Sequence, residues 1–74
     1  MAQDKFIELD LTHTLWREYI FKDASYCINK PVALFIKKDT GSHRVVDSNG
    51  LTHYIDMKKV IAIKWCSKDE SVRY

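Results

Sequence analysis

The sequence predicts an all-β domain, a small curled antiparallel sheet or small barrel built from six or seven short strands. One observation is the alternation of apolar and polar residues over residues 5–11, the pattern of a half-buried strand. Another is the apolar segment at residues 31–36, which is bounded by lysines. A third is Asn49-Gly50 between two alternating segments, a pair that favours a hairpin turn.

The remaining strands follow from the same pattern and from the turn residues between them. The break at residues 29–31 includes a proline, which cannot donate to a sheet ladder and disfavours helical geometry in the residue before it. The predicted strands are residues 5–11, 15–21, 25–28, 32–38, 43–47, 51–55 and 60–66. The continuous apolar residues of the fourth strand predict burial on both of its faces, or nearly so.

Residues 15–21 fit a strand and a helix almost equally well. As a strand, they place Leu15 and Tyr19 on one face and Trp16 on the other. As a helix over residues 12–22, they offer helically spaced apolar residues with Thr12 as the N-cap. We favour the strand because β-branched and aromatic residues are common here. An α+β domain with one short helix is the alternative.

The Asn-Gly pair also predicts how the strands beside it are paired. A type I′ turn needs a positive φ at both central residues, which Asn49 and Gly50 tolerate. With these two residues as the loop, Val45 lies opposite Tyr54 and shares its face. The other face then carries Arg44, Val46, Leu51, His53 and Ile55.

The end of the chain shows a likeness at the level of the fold. Residues 51–55, a tight turn that Asp56 is suited to cap, and residues 60–66 form a strand–turn–strand unit. This unit resembles the closing strands of SH3-like small barrels. The resemblance covers about the last third of the chain and implies a fold without a function.

Length and composition predict a single domain of 74 residues, 46% hydrophobic and 30% charged, with frayed ends at 1–4 and 67–74. No apolar segment approaches the roughly 20 residues of a membrane span, and the first residues do not resemble a signal peptide. Cys27 and Cys66 lie far apart in sequence and are expected to be reduced. We therefore expect a cytoplasmic protein without a membrane partner.

The sequence offers no catalytic, metal or cofactor motif. His13, His43 and His53 lack the spacing of paired zinc ligands, and the two cysteines do not form a Cys-x-x-Cys pair. Gly41 and Gly50 are the only glycines, too few for a phosphate-binding loop. We predict that the protein is not an enzyme and needs neither a metal nor a cofactor.

Large apolar side chains on otherwise polar strand faces favour protein binding. Phe6 shares a strand face with acidic residues, and Trp16 shares one with Glu18 and Ile20. Such groups are typical of contact surfaces. The sequence thus predicts a small protein-binding module that acts as a regulator or inhibitor. A standalone domain without chemistry also suits an accessory protein of a phage or mobile element. Open strand edges would also permit an edge-strand dimer.

Nucleic-acid binding is the alternative prediction. The chain has a net charge of +2, with an excess of acids in residues 1–29 and of bases in residues 30–74. The candidate phosphate contacts within residues 30–68 are Lys37, Lys38, Arg44, Lys58, Lys59 and Lys64, and the candidate base-stacking groups are Phe35, Tyr54 and Trp65. Aspartates among these cations dilute the positive charge, so we place this function second.

Overall fold

The computed structural model describes residues 5–68, which form seven β-strands and no α-helix. The strands are β1 (Phe6–Asp10), β2 (Thr14–Phe21), β3 (Ser25–Asn29), β4 (Pro31–Lys37), β5 (His43–Asp47), β6 (Thr52–Ile55) and β7 (Val60–Ser67), and a 3₁₀ turn (Met57–Lys59) precedes β7. The all-β prediction is confirmed, and β2 replaces the alternative helix. Within the described residues, no segment has the helical length and hydropathy needed to cross a bilayer. Of the predicted frayed ends, residues 1–4 and 69–74 lie outside the described residues.

The first four strands form one long hairpin that bends in the middle. β1 pairs antiparallel with β4, and β2 pairs antiparallel with β3 across the turn at residues 22–24. Two backbone hydrogen bonds continue the ladder at the bend, from Leu11 N to Val32 O at 3.0 Å and from Lys30 N to Leu15 O at 2.9 Å. Lys30 has a φ of +52°, a left-handed conformation that turns the chain between β3 and β4. The break predicted at residues 29–31 is narrower in the structure, because Asn29 ends β3, Pro31 begins β4 and Lys30 alone forms the corner.

The bend divides the strands between two antiparallel sheets. One has the order β1-β4-β5-β6 and the other the order β3-β2-β7. The 3₁₀ turn joins β6 to β7, and Asp56 Oδ1 accepts a hydrogen bond from Lys58 N at 3.1 Å, as a cap should. In the described residues β6 and β7 are not paired with each other, and the strand order gives two separate sheets.

The hydrophobic core lies between the two sheets and takes side chains from both. Its buried members are Leu11, Tyr19, Ile28, Leu34, Val45 and Ile55. In β4, Leu34 is 1% exposed, whereas its neighbour Phe35 is half-buried on the opposite face. The prediction that residues 32–38 are buried on both faces is therefore correct for one face only, because no described element covers the other.

The hairpin of β5 and β6 differs from its predicted register by one residue. Val45 lies opposite His53, and Arg44 lies opposite Tyr54. Since side chains alternate between faces, this shift turns His53 and Ile55 towards the core and Tyr54 outward. The predicted pairing of Val45 with Tyr54 is wrong.

Asp47 explains the difference, because it stabilises a loop of three residues rather than two. Its Oδ1 accepts hydrogen bonds from Asn49 N at 2.9 Å and from Leu51 N at 3.1 Å. Gly50 has a φ of +83°, while Asn49 does not have a positive φ, so the turn is not type I′. A turn followed by one left-handed glycine is the usual form of a three-residue hairpin loop.

We expect Gly50→Val to lower the free energy of unfolding by about 1 kcal/mol or more. A Cβ atom at Gly50 would meet no atom within 4 Å, so the cost is conformational rather than steric. Gly50→Asn is the matched control, because asparagine tolerates a left-handed backbone better than a β-branched residue does. Urea denaturation measures both changes, and equal losses in the two variants would contradict the assigned conformation.

Candidate binding surface

The outward side of the four-stranded sheet gathers aromatic side chains around one arginine. Directly opposed residues of an antiparallel pair point to the same face. Phe35 lies opposite Arg44, and Arg44 lies opposite Tyr54, so the three side chains meet on this side. We call this surface the aromatic–arginine face, and the residues that line its shallow hollow are Phe6, Phe35, Arg44, Val46, Thr52 and Tyr54.

Arg44 is held between two rings of this face. Its Cζ atom lies 4.9 Å from the ring centroid of Phe6 and 5.3 Å from that of Tyr54, both within the range of cation–π attraction. Within residues 5–68, the guanidinium forms neither an ion pair nor a hydrogen bond. The rings therefore position the guanidinium while its N–H donors stay available to a partner.

The aromatic–arginine face exposes large aromatic side chains to solvent. Tyr54 is 71% exposed, while Phe6 and Phe35 are half-buried. Tyrosine, phenylalanine and arginine are enriched at protein interfaces, and Tyr and Arg often carry much of the binding energy. This face therefore has the composition of a contact surface.

The structure divides the four predicted protein-contact residues between two surfaces. Phe6 belongs to the aromatic–arginine face. Trp16, Glu18 and Ile20 lie on the outward side of the three-stranded sheet, where all three are half-buried and Glu18 is opposite Lys64. The two sheets pack through their inner faces, so these two surfaces lie on different sides of the domain.

The six predicted phosphate contacts are also separated. Three of them line one hollow beside Tyr54, and these are Lys37, Arg44 and Lys58. Lys38 is exposed just after β4, Lys59 lines a hollow at the turn of residues 22–24, and Lys64 lies on the outward side of the other sheet. Half of the predicted cations therefore share a site.

Phe35 and Tyr54 belong to the candidate surface although the sequence pattern assigns them only to the nucleic-acid alternative. Phe35 lies in a segment predicted to be buried on both faces, and the predicted register places Tyr54 beside Val45. Asp47 is the sequence feature from which an outward Tyr54 could have been predicted, because the Asp47 side chain favours the longer loop.

Two polar networks join the two sheets, one through the interior and one at an exposed position. In the first, Arg17 Nε donates a hydrogen bond to Tyr19 Oη at 2.9 Å, and Tyr19 Oη lies 2.9 Å from His43 Nδ1. Because an arginine can only donate, Tyr19 Oη accepts from Arg17, and the same oxygen is joined to His43 Nδ1 by a second hydrogen bond. This network links β2 of one sheet to β5 of the other through buried side chains.

The second network joins β3 to the loop between β5 and β6. Tyr26 Oη lies 2.6 Å from His53 Nδ1, and His53 Nε2 lies 2.8 Å from Asp47 Oδ2. The hydrogen bond from His53, assisted by those from the loop backbone, lowers the pKa of the Asp47 carboxyl against the opposing effect of burial. This carboxylate therefore stabilises the fold above its ordinary pKa of 3.8, and the contribution is lost as the pH falls below that value.

We expect the free energy of unfolding to decrease as the pH falls below 6.5, the ordinary pKa of histidine. Burial, and then the charge of Arg17, lowers the pKa of His43 in the folded protein. The unfolded chain takes up a proton that the folded protein resists, so the stabilisation is complete above 6.5 and is lost as the pH falls through the folded pKa. Urea unfolding between about pH 8 and about pH 5 measures this dependence. His43→Gln should show a shallower slope, and an unchanged slope would contradict the assignment.

The two thiols are too far apart to form a disulfide within one chain. Cys27 and Cys66 are free, and they lie on the strands that flank β2, opposite Glu18 and Trp16. Two strand spacings separate the flanking strands by roughly 10 Å, beyond the reach of a disulfide. Across residues 5–68, no three His, Cys, Asp or Glu side chains come together as a metal site.

Comparisons of the chain with protein-family models, with curated proteins and with solved structures give no significant match.

Proposed function

We propose that this protein is a non-enzymatic binding module that contacts another protein through the aromatic–arginine face. It acts as a cytoplasmic regulator or inhibitor by occupying a surface of that partner. The observation that carries the proposal is the position of Arg44, which lies between the rings of Phe6 and Tyr54 with its N–H donors unused. A side chain that is already held in place loses little conformational freedom on binding.

The position of the face on a sheet supports the same proposal. Phe35 and Arg44 project from β4 and β5, the two interior strands of the four-stranded sheet, and Tyr54 projects from β6 beside them. Paired strands hold these side chains in fixed positions more firmly than a loop would. A rigid, partly apolar surface with an arginine at its centre is suited to a protein partner.

Single-stranded nucleic acid is the second candidate. The hollow lined by Lys37, Arg44 and Lys58 favours it, because Tyr54 lies at the same hollow and offers a ring for base stacking. Glu8 disfavours it, since this residue lies opposite Phe35 on the same outward side and would repel phosphates.

Capture from a cell lysate tests the proposal when the same bait is used with and without nuclease. We compare the wild type with Tyr54→Ala and use Trp16→Ala as the matched aromatic control on the other surface. We expect a protein partner that is still captured after nuclease treatment. Trp16→Ala should bind this partner as the wild type does, whereas Tyr54→Ala should bind it about ten-fold more weakly or worse. Circular dichroism confirms that both variants are folded.

Two results would count against the proposal. Loss of the partner in Trp16→Ala but not in Tyr54→Ala would move the contact to the three-stranded sheet. Loss of all binding after nuclease treatment, together with a steep decrease of oligonucleotide affinity with salt, would favour the second candidate.

A further inference from the structure

One end of the aromatic–arginine face has an excess of positive charge. The hollow there is lined by the cations Lys37, Arg44 and Lys58 and by a single carboxylate, Asp56. Asp56 Oδ1 already accepts a hydrogen bond from Lys58 N at 3.1 Å. Within the described residues, none of the three cations forms an ion pair. The hollow therefore lacks the anionic charge that would balance it.

Hydroxyl groups add hydrogen-bond donors to the same hollow. Thr40 Oγ1 and Ser42 Oγ lie 2.8 Å apart, and both residues line the hollow. One hydroxyl hydrogen is used within this pair, and the other has no acceptor among residues 5–68. One hydroxyl hydrogen at this end of the face can therefore be donated to a ligand that accepts hydrogen bonds.

The β1 edge of the same outward side carries two acidic residues. Asp10 lies opposite Ala33 and Glu8 opposite Phe35, whereas Lys37 lies opposite Phe6. Glu8 shares one row across the sheet with Phe35 and Arg44, so the carboxylates lie on the β1 edge, while the cations lie on β5 and at the end of β4 that carries Lys37. A nucleic-acid strand along this side would bring phosphates against the carboxylates, whereas a polypeptide can complement both signs.

We infer, on the basis of the proposed function, that the partner segment is a polypeptide with an aspartate or glutamate close to an apolar side chain. The carboxylate occupies the hollow of Lys37, Arg44 and Lys58. Arg44 offers the planar pair of donors that matches a carboxylate, and the two lysines add positive charge. The apolar side chain covers the rings of Phe35 and Tyr54.

Selection of peptides from a random dodecapeptide display library on the immobilised full-length protein tests this inference. We expect the enriched peptides to carry an acidic residue beside an apolar one. Amide NMR shifts caused by the strongest peptide should fall on Arg44, Tyr54 and Lys58. The double variant Lys37→Glu, Lys58→Glu should bind this peptide about ten-fold more weakly or worse. Lys64→Glu, a charge reversal on the other sheet, should change its affinity by less than about two-fold.

Failure of this inference and failure of the proposed function would give different results. Enriched peptides that need Phe35 and Tyr54 but have no excess of acidic residues would overturn this inference and leave the proposed function intact. Peptides that shift residues away from the aromatic–arginine face, or the absence of any enriched peptide, would overturn both. Tighter binding of a deoxythymidine oligonucleotide than of the best peptide, with shifts at Tyr54, would replace the polypeptide with nucleic acid.

Discussion

Tyr19→Ala should leave most of the protein unfolded at room temperature. The Tyr19 side chain is 0% exposed, and truncation of a buried aromatic residue costs about 3–5 kcal/mol. The change also removes the hydrogen-bond partner of His43 and Arg17 in the interior. A domain of this size has a free energy of unfolding of roughly 3–5 kcal/mol, so the two losses together exceed its stability. Far-UV circular dichroism and urea denaturation measure the loss.

Two control variants separate the causes of that loss. Tyr19→Phe keeps the ring and removes the hydroxyl group, so it should cost about 1 kcal/mol. Tyr54→Ala removes an exposed ring and should change the free energy of unfolding by about 0.5 kcal/mol or less. If Tyr54→Ala were as destabilising as Tyr19→Ala, the assignment of inner and outer aromatic residues would be wrong.

Leu34→Ala and Phe35→Ala should separate stability from binding, although the two residues are neighbours in β4. Leu34 is 1% exposed in the core, and its truncation should cost about 2–5 kcal/mol. Phe35 faces outward and is half-buried, so its truncation should cost about 1 kcal/mol and weaken partner binding. Urea denaturation gives the stabilities, and titration of a selected peptide gives the affinities.

The comparison between these neighbours tests the orientation of the whole four-stranded sheet. A larger loss of stability in Phe35→Ala than in Leu34→Ala would mean that the two faces of β4 are interchanged. Normal peptide affinity in a folded Phe35→Ala variant would remove this residue from the binding surface.

The positions of the strands could be predicted because local pattern determines them. Alternation over residues 5–11, the apolar segment at 31–36 and the proline after Lys30 each act through the backbone conformation of a few adjacent residues. β1, β4 and the corner between β3 and β4 occur where these signals predict them. For β2, the pattern permitted both a strand and a helix, and its aromatic and β-branched residues favoured the strand that the structure has.

The register of β5 and β6 could not be read from the Asn-Gly pair alone. The preference of Asn49-Gly50 for a two-residue turn competes with the preference of the Asp47 carboxylate for backbone N–H groups two and four residues later. The second preference prevails, and every side chain of β6 changes face as a result. An error of one residue in the turn therefore becomes an error in the composition of the candidate surface.

The sequence pattern could not show that Phe6 and Trp16 lie on different surfaces, for a different reason. The two residues lie on similar polar strand faces and close together in sequence, so a one-dimensional pattern treats them alike. The bend at Leu11 to Leu15 places β1 and β2 in different sheets, which sends the two side chains to different sides of the domain. This bend depends on hydrogen bonds between two paired segments of the chain. The sequence of either segment alone therefore does not predict it.

The bent hairpin also determines the order in which the chain can fold. We expect β1 to β4 to pair progressively outward from the turn at residues 22–24, and β5 to pair with β6 across a three-residue loop, because each of these steps costs little loop entropy. β7 must pair with β2, which is distant in sequence, and the outermost pair joins Thr14 to Ser67. We expect docking of β7 to follow the rate-limiting step. Substitutions in β7 would then mainly accelerate unfolding, whereas substitutions at the turn of the bent hairpin would slow folding.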